Sequence, residues 1–390
     1  MNSNKTQAIW LGCNKGSQRK YIQDLKMEWN PSKFKILGIW LTADLVGCET
    51  INYDEKFYEM RTLFRIWVKR QITPLGRIAI LKSLILSKMV HLWLLLPNPP
   101  EKFTNGLQKF IFQFVWKKKQ DRINRITVIK NIRNGGLGVV DIKYFANSLK
   151  LTWLRKFKET KHAWKNIVSK EIPNILMIDK LGPFLDERAN STNKFWKDVF
   201  AAYQLLHKNL LPSKPEEFLA EPIWHNKNIK ISRDFVPFRA MRRKDVYKIS
   251  HFVNENGNFY TLDQFNITHA LNVNFIAYNH CINAIKNFLV MNSVTLSNNV
   301  ASAHCKSLST IYANKKGTKN IYNAFVGKTP LPKCCDKWDA KMGKSINWTA
   351  TFFKIQKIQE IKLKWLQIRI VHRIIGTNKY LKLMKIKNND

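Results

Sequence analysis

"QITPLGRIAILKSLILSKMVHLWLLLPNPP", residues 71–100, sets the helical character of this chain. Thr73 followed by Pro74 is an N-cap with proline at the first helical position. Ile78, Leu81, Ile85 and Met89 then recur at helical spacing, so the pattern predicts a helix from Pro74 to about Leu95. Pro97, Pro99 and Pro100 end it. Its most apolar part, Met89 to Pro97, contains His91 and is too short to span a bilayer.

The helical period extends in both directions. Upstream, Tyr53, Phe57, Met60, Phe64, Trp67 and Val68 form one apolar stripe, with Lys56, Arg61, Arg65, Lys69 and Arg70 mostly between them. Downstream, Phe103, Leu107, Phe110, Ile111, Phe114 and Val115 mark a helix from about Glu101 to Trp116. Three amphipathic helices with short connections predict a small bundle. Before them, residues 5–12 and 34–42 are short, β-branched and aromatic and read as strands.

After the bundle comes "KKKQDRINRITVIKNIRNGGLGVVDIKYF", residues 117–145. "RITVI" reads as strand, Asn134-Gly135-Gly136 as a turn, "LGVV" as a short extended segment and Asp141 as an N-cap. The glycines raise the question of a nucleotide loop. They fit neither Gly-x-Gly-x-x-Gly nor the Walker pattern, and Asp141 would repel a phosphate at the helix start. A turn permitting close backbone approach is the expectation for Gly135, Gly136 and Gly138. The following helix shows Ile142, Phe145, Leu149 and Trp153 on one face, leaving Lys143, Lys150, Arg155 and Lys156 exposed. Residues 160–330 are less regular, with helical patches at 193–209 and 267–289 and a connector from Pro212 to Pro222. A last helical block runs from Trp348 to about Ile375, with Phe352, Ile355, Ile361, Trp365, Ile368 and Ile375 as its core.

The whole chain has 390 residues, enough for two or three cores, and 45% hydrophobic with 12% aromatic residues predicts folding rather than a disordered tail. Against 27 Asp and Glu stand 66 Lys and Arg, a net charge of +39 that calls for an anionic partner. Nucleic acid comes first and an anionic membrane surface second. The charge is spread along the chain instead of lying on one amphipathic helix, which disfavours the membrane. The N-terminus has no signal-peptide layout. Six scattered cysteines, Cys13, Cys48, Cys281, Cys305, Cys334 and Cys335, predict reduced thiols. Cys334-Cys335 lacks zinc-site spacing, and His280-Cys281 and His304-Cys305 read as packed or singly exposed, so no metal is expected.

Catalytic patterns are missing from the sequence. No Asp-Asp pair is present for two-metal phosphoryl transfer. The doublets Asp54-Glu55 and Asp186-Glu187 read as solvated or capping residues, His91 and His372 as structural. What stands out is cation interleaved with aromatic: residues 55–90 hold eight Lys or Arg, residues 101–135 nine, and the last forty ten. Such a surface suits a groove that follows a phosphate backbone and can stack bases.

The order of motifs resembles the C-terminal half of the reverse transcriptase of non-LTR (LINE-type) retrotransposons. "NKTQAIWLG" (4–12) resembles the end of the palm, and "FKILGIWLT" (34–42) the primer-grip strand pair, with Ile36 where the family has Tyr. "RIWVKRQITPLGRIAILKSLILSKMVHLWLLLPNPP" (65–100) resembles the thumb, including Leu75-Gly76-Arg77 and Lys88. "LQKFIFQFVWKKKQDRINR" (107–125) and "NGGLGVVDIKYFANSLKLTWLRKF" (134–157) are similar to the post-thumb segments. "EPIWHNKNIKI" and "GNFYTLDQF" resemble a connector, and 348–386 the helical segment before the family's zinc knuckle.

The resemblance implies a mainly α fold with a small β remnant, a right-hand polymerase thumb bundle and a post-thumb helical domain. It divides the chain into a palm end (1–52), a thumb (53–118), a basic linker with its turn and helix (119–160), a connector (161–333) and a C-terminal helical segment (334–390). The family's palm aspartates are expected upstream of residue 1, and the knuckle's cysteines and histidine beyond Asp390. The implied role is to hold template RNA, DNA target and primer-template duplex in target-primed reverse transcription, in nucleus and cytoplasm. The parent resembles an RNA-directed DNA polymerase using magnesium. This chain is expected to have no catalytic residue, cofactor, small-molecule ligand or primer extension of its own. Residues expected to meet nucleic acid are Lys5, Arg65, Lys69, Arg70, Arg77, Lys88, Lys117, Lys118, Lys119, Arg122 and Arg125, with Leu37 and Gly38 primer-grip-like. The alternatives are an unrelated basic nucleic-acid-binding or domesticated transposon-derived protein, or a decayed element without function.

Overall fold

A computed structural model describes residues 6–10, 28–29, 32–42, 47–184, 193–210, 212–229, 239–296, 304–313, 317–327 and 330–376. The protein is mainly helical, 63% helix and 4% strand, with a small two-stranded antiparallel sheet. It divides into two compact units, residues 1–146 with 328–390 and residues 147–327.

The first unit begins with β1 (Gln7–Ala8), paired in parallel with β2 (Glu28–Trp29). Residues 34–42, expected as strand, form a hairpin of β3 (Phe34–Ile36) and β4 (Ile39–Leu41). The turn residues Leu37 and Gly38 both have positive φ, 48° and 84°. That backbone matches the right-handed twist of the flanking strands, so two residues suffice to reverse the chain. Helix α1 (Cys48–Val68) starts five residues before Tyr53, and its Asn52 takes the Trp40 amide and donates to the Trp40 carbonyl. The small sheet is thereby fixed to the bundle.

Helix α2 (Pro74–Ile80) starts as expected, with Thr73 Oγ1 accepting the Gly76 amide at 3.2 Å. The expected single helix to Leu95 is instead broken by a π-helical turn, Leu81–Ile85, before α3 (Ser87–Leu95), and the axis bends by 48°. The wider turn lets Leu81, Ile85, Leu86, Met89, Leu92 and Trp93 all reach the core. Among the described residues no single helix is long and apolar enough to cross a membrane; the bent pair reaches that length only as two pieces. Helix α4 (Glu101–Val115) packs its Phe110 and Phe114 edge-on against Phe64 of α1, ring centres 4.6 and 4.8 Å apart.

"RITVI" is not a strand. It forms a single helical turn, α5 (Arg125–Ile129), opened by Asn124 Oδ1 accepting the Ile126 amide. β-Branched residues favour strands only where a pleated partner exists. Here the Val128 carbonyl instead accepts both the Leu137 and the Val139 amides. The "LGVV" segment is accordingly in no regular strand.

Helix α6 (Ile142–Glu159) is opened by Asp141 Oδ1 accepting the Tyr144 amide. Gln108 of α4 accepts from the Ile142 amide and donates to the Val140 carbonyl, and Phe145 meets Trp93 edge-on at 5.7 Å. The division between the units falls inside α6, between Ala146 and Asn147. Two of its expected surface cations are not at the surface: Lys150 is fully buried and Arg155 is 8% exposed. Lys150 lies over the Phe195 ring, 4.4 Å from its centre, because ring and aliphatic stem together cover the charge.

The second unit continues with α7 (Trp164–Glu171), α8 (Ile178–Leu181), α9 (Lys194–Asn209), α10 (Pro215–Leu219), α11 (Arg239–Arg243), α12 (Leu262–His269), α13 (Phe275–Met291), α14 (Lys306–Tyr312) and α15 (Lys319–Val326). Its core joins Phe218, Trp224, Met241, Phe252, Phe265 and Ile285. The expected connector at 212–222 is therefore part of that core, contributing α10 with Phe218 and Leu219. The patch at 267–289 is split: Ala270 ends α12 with φ 48°, and Asn274 caps a new helix by accepting the Ala277 amide.

The chain then returns to the first unit with α16 (Lys333–Met342), α17 (Trp348–Lys357) and α18 (Ile361–Val371). The last block is thus two helices after Asn347. Phe352, Ile355, Trp365 and Ile368 are buried as expected; Ile361 is exposed, and Ile374 rather than Ile375 is fully covered.

Candidate nucleic-acid interface

The end of α4 carries a dense run of positive charge, Lys117, Lys118 and Lys119. Lys117 N–H donates to the Phe114 carbonyl and Lys118 N–H to the Gln113 carbonyl, a Schellman closure that places Lys117 where glycine normally sits. Lys117 and Lys118 consequently adopt φ of 54° and 60°. A left-handed conformation costs a residue with a Cβ about 1–2 kcal/mol. Lys117→Gly and Lys118→Gly should each raise stability, by about 1 kcal/mol in urea denaturation. Unchanged or lower stability in both would show that the turn carries no strain.

Arg77 completes that helix end. Its Nη1 donates to the Phe114 and Val115 carbonyls at 3.2 and 3.1 Å, and the residue is 3% exposed. A cation at a helix C-terminus satisfies carbonyls that have no partner inside the helix. Arg77, expected from sequence to face nucleic acid, therefore ties α2 to α4.

Above this junction lies an open cleft of about 380 Å³. Gln71 to Pro74 form one wall; Lys117, Lys119 and Arg122 form another; Arg77, Trp116 and Trp365 of α18 complete it. The two indoles are 6.3 Å apart. Among the described residues no Asp or Glu lines the cleft. The neighbouring Asp121 is held by Arg125 at 2.6 Å, and Arg125 lies over the Phe112 ring. Four cations converging on a concave surface focus a positive potential that attracts phosphate. Trp116 and Trp365 are only 5% and 9% exposed, so they form a floor and are not free to stack on bases. An exposed ring does occur on α17, where Arg133 and Lys357 lie over Phe353 at 5.5 and 4.5 Å.

The other expected contacts are dispersed. Arg65, Lys69 and Arg70 are exposed at and just beyond the end of α1, and Arg70 directly precedes the wall residue Gln71. Lys88 is partly neutralised by Glu59 at 3.3 Å; the hydrogen bond from Lys56, with help from Lys88, holds the Glu59 carboxyl below its usual range. Lys118 is exposed beside the cleft-lining Lys117 and Lys119. Leu37 and Gly38 form the hairpin turn, with the Leu37 carbonyl accepting from His91 at 3.0 Å. Glu55 accepts from the Trp40 indole and pairs with Lys35. Lys5, Cys13, Asp186, Glu187 and residues after 376 lie outside the described residues.

The glycine turn is not a phosphate cradle. The amides of Gly135, Gly136 and Gly138 donate to the carbonyls of Ile132, Asn131 and Lys130, so none points at a ligand. Gly135 and Gly138 have φ of 76° and 75°. A Cβ on Gly136 would lie 2.0 Å from the Lys130 carbonyl oxygen, and one on Gly135 2.6 Å from Pro332 and 2.7 Å from Phe352. His372 donates from Nε2 to the Gly135 carbonyl at 2.9 Å. The turn is thus a seat for the returning C-terminal helices, a role that local sequence does not disclose.

No protein-family model matches the chain. Sequence reading also missed three buried polar side chains in the second unit: His207, Glu221 and Cys305, which lie on separate elements. Burial pushes the Glu221 carboxyl up to about 8 and the His207 imidazole down to about 4. Only the His304-Cys305 doublet marked the place in the sequence, and the spacing of the three carries no motif.

Proposed function

We propose that this chain is a nucleic-acid-binding body, the C-terminal part of a non-LTR retrotransposon reverse transcriptase that holds template RNA and primer-template duplex. The observation that carries the binding reading is the cleft at the end of α4, with four cations, two indoles and no carboxylate. The net charge of +39 and the order of thumb-like and post-thumb-like motifs support it. Lys117, Lys119 and Arg122 contact the phosphate backbone; Arg77 and the floor indoles keep them in place. Because the indoles are covered, backbone contact dominates and sequence preference is weak. Arg65, Lys69 and Arg70 extend the track away from the cleft, and Phe353 offers a ring for an unpaired base.

Each neutralised phosphate releases condensed counterions, so log affinity falls linearly with log salt. Fluorescence anisotropy with RNA and with duplex DNA should show that slope, similar for unrelated sequences. Reversing Lys117, Lys119 and Arg122 to Glu should weaken binding at least about tenfold and flatten the slope. The same reversal at the exposed Lys161, Lys170 and Lys208 should do much less. Equal losses from both sets would show that total charge and not the cleft binds. A flat salt dependence would reject the electrostatic mechanism altogether.

A further inference from the structure

We propose that His207, Glu221 and Cys305 form a binding site for a divalent cation of the zinc class. The ligand atoms of the three side chains all lie within 4.8 Å of one another, and all three residues are buried. His207 comes from the last turn of α9, Glu221 from the segment after α10, and Cys305 from the position preceding α14. The His207 Nε2 to Glu221 Oε2 distance is 3.3 Å. A tetrahedral zinc ion places a nitrogen and an oxygen ligand about 3.3 Å apart and a sulfur about 3.6 Å from either. One edge of the site is already at that length, and the other two are no longer than 4.8 Å.

Two further observations point to a ligand here. Glu221 is 1% exposed, yet its Oε1 has no hydrogen-bond partner among the described residues. The His207 imidazole faces only the other oxygen, at 3.3 Å, and a cation is one group that answers a buried carboxyl oxygen without a partner. Second, His207 Nδ1 meets Ser307 Oγ at 3.1 Å, which fixes the ring with Nε2 turned to Glu221. This is the outer-shell support that metal-binding histidines generally have. The Tyr203 hydroxyl, 3.7 Å from Cys305 Sγ, supports the sulfur in the same way.

The donor set selects the ion. One sulfur, one imidazole nitrogen and one carboxylate oxygen suit zinc, whereas magnesium and calcium demand oxygen throughout. His207 and Glu221 also line a cavity of about 440 Å³ together with Lys227, Asn228, Asn287 and Asn292. That cavity provides the route of entry and room for water in the fourth position. Binding releases the proton of the Cys305 thiol to solvent, with no change of oxidation state.

The test uses the full chain, stripped by chelator and titrated with cobalt(II), then zinc. Expected is one ion per chain, with a thiolate-to-cobalt charge-transfer band and tetrahedral visible bands that zinc abolishes. Cys305→Ser should remove the charge-transfer band, and Ser307→Ala should keep it while weakening affinity roughly tenfold. Zinc should raise the melting temperature of the unmodified chain but not of Glu221→Gln. Cys334 and Cys335, the former 3.5 Å from His372 Nδ1, are the competing thiols. Loss of binding in Cys334→Ser with Cys335→Ser would overturn the proposal. Should the buried variants fail to fold, X-ray absorption of the zinc-loaded unmodified chain decides. One sulfur with nitrogen and oxygen ligands supports the site; two or more sulfurs, or no retained zinc, reject it.

Discussion

Gly136→Ala should destabilise the first unit by about 3–5 kcal/mol, one of the two largest effects expected of a single substitution in this protein. The added Cβ would be 2.0 Å from the Lys130 carbonyl oxygen and 2.4 Å from that of Thr127. Neither is the end of a flexible side chain, so the backbone itself must move. The turn cannot open without losing the Gly136 amide's bond to Asn131 and the Gly138 amide's bond to Lys130. Denaturant unfolding measures the loss directly. Gly106→Ala is the matched control: nothing lies within 4 Å of its added Cβ, and it should gain slightly from better helix propensity. If Gly136→Ala were as stable as the unmodified chain, the close approach would be wrong. A glycine loop that cradled phosphate would show another outcome, with stability retained and anion binding lost.

The second large effect concerns Lys150. Burial lowers its amine from the ordinary value of 10.5 to about 7, with Asp198 opposing the shift. Below about pH 7 the lysine is charged in both folded and unfolded chains, and folding bears the full cost of covering the charge. Between about 7 and 10.5 the unfolded chain holds a proton that the folded chain does not, so stability rises with pH. Above that window the cost is gone. Each pKa unit corresponds to about 1.4 kcal/mol, giving a term on the order of 5 kcal/mol before any compensation from the Phe195 ring. Lys150→Met should therefore stabilise the second unit by about 2–4 kcal/mol at pH 6.5, with the advantage shrinking toward pH 10. Parallel stability curves for the two proteins across that range would show that Lys150 is not the titrating group.

These two residues also mark how far the sequence could be read. The Thr73-Pro74 helix start, the Asn134-Gly135-Gly136 turn and the Asp141 cap were legible because each is decided within a few residues. The stripes of α1 and α4 were legible because periodicity reports a buried face. Lys150 was misread for the opposite reason: helical spacing put it beside polar neighbours, while its cover, Phe195, is supplied by a distant part of the chain. "RITVI" has a strand's composition but no strand beside it. The break in the 74–95 helix comes from a π-helical turn, with the Leu86 amide bonded to the Leu81 carbonyl, that no residue type announces.

For the candidate interface, charge density pointed to Lys117, Lys118, Lys119 and Arg122, of which Lys117, Lys119 and Arg122 line the cleft. It could not distinguish Lys119, an exposed cation on the cleft, from Arg77, which also lines it but is buried and bonded to the two carbonyls at the end of α4. Trp365, which helps line the same cleft, lies far along the chain and could not be placed there from sequence. Nor could His207, Glu221 and Cys305 be joined, because three ligands on three elements leave no spacing to recognise.

The interrupted first unit has a consequence for birth on the ribosome. Residues 147–327 emerge as an unbroken stretch and can complete their own core while the rest is still being made. The Gly135 turn, by contrast, stays uncovered until Pro332, Phe352 and His372 arrive, some two hundred residues later. A nascent chain stalled before that point carries a finished second unit and a first unit with its lid still untranslated. Such a species presents apolar surface at the turn and is a natural client for chaperones. Truncation at about residue 330 should accordingly harm the first unit more than the second.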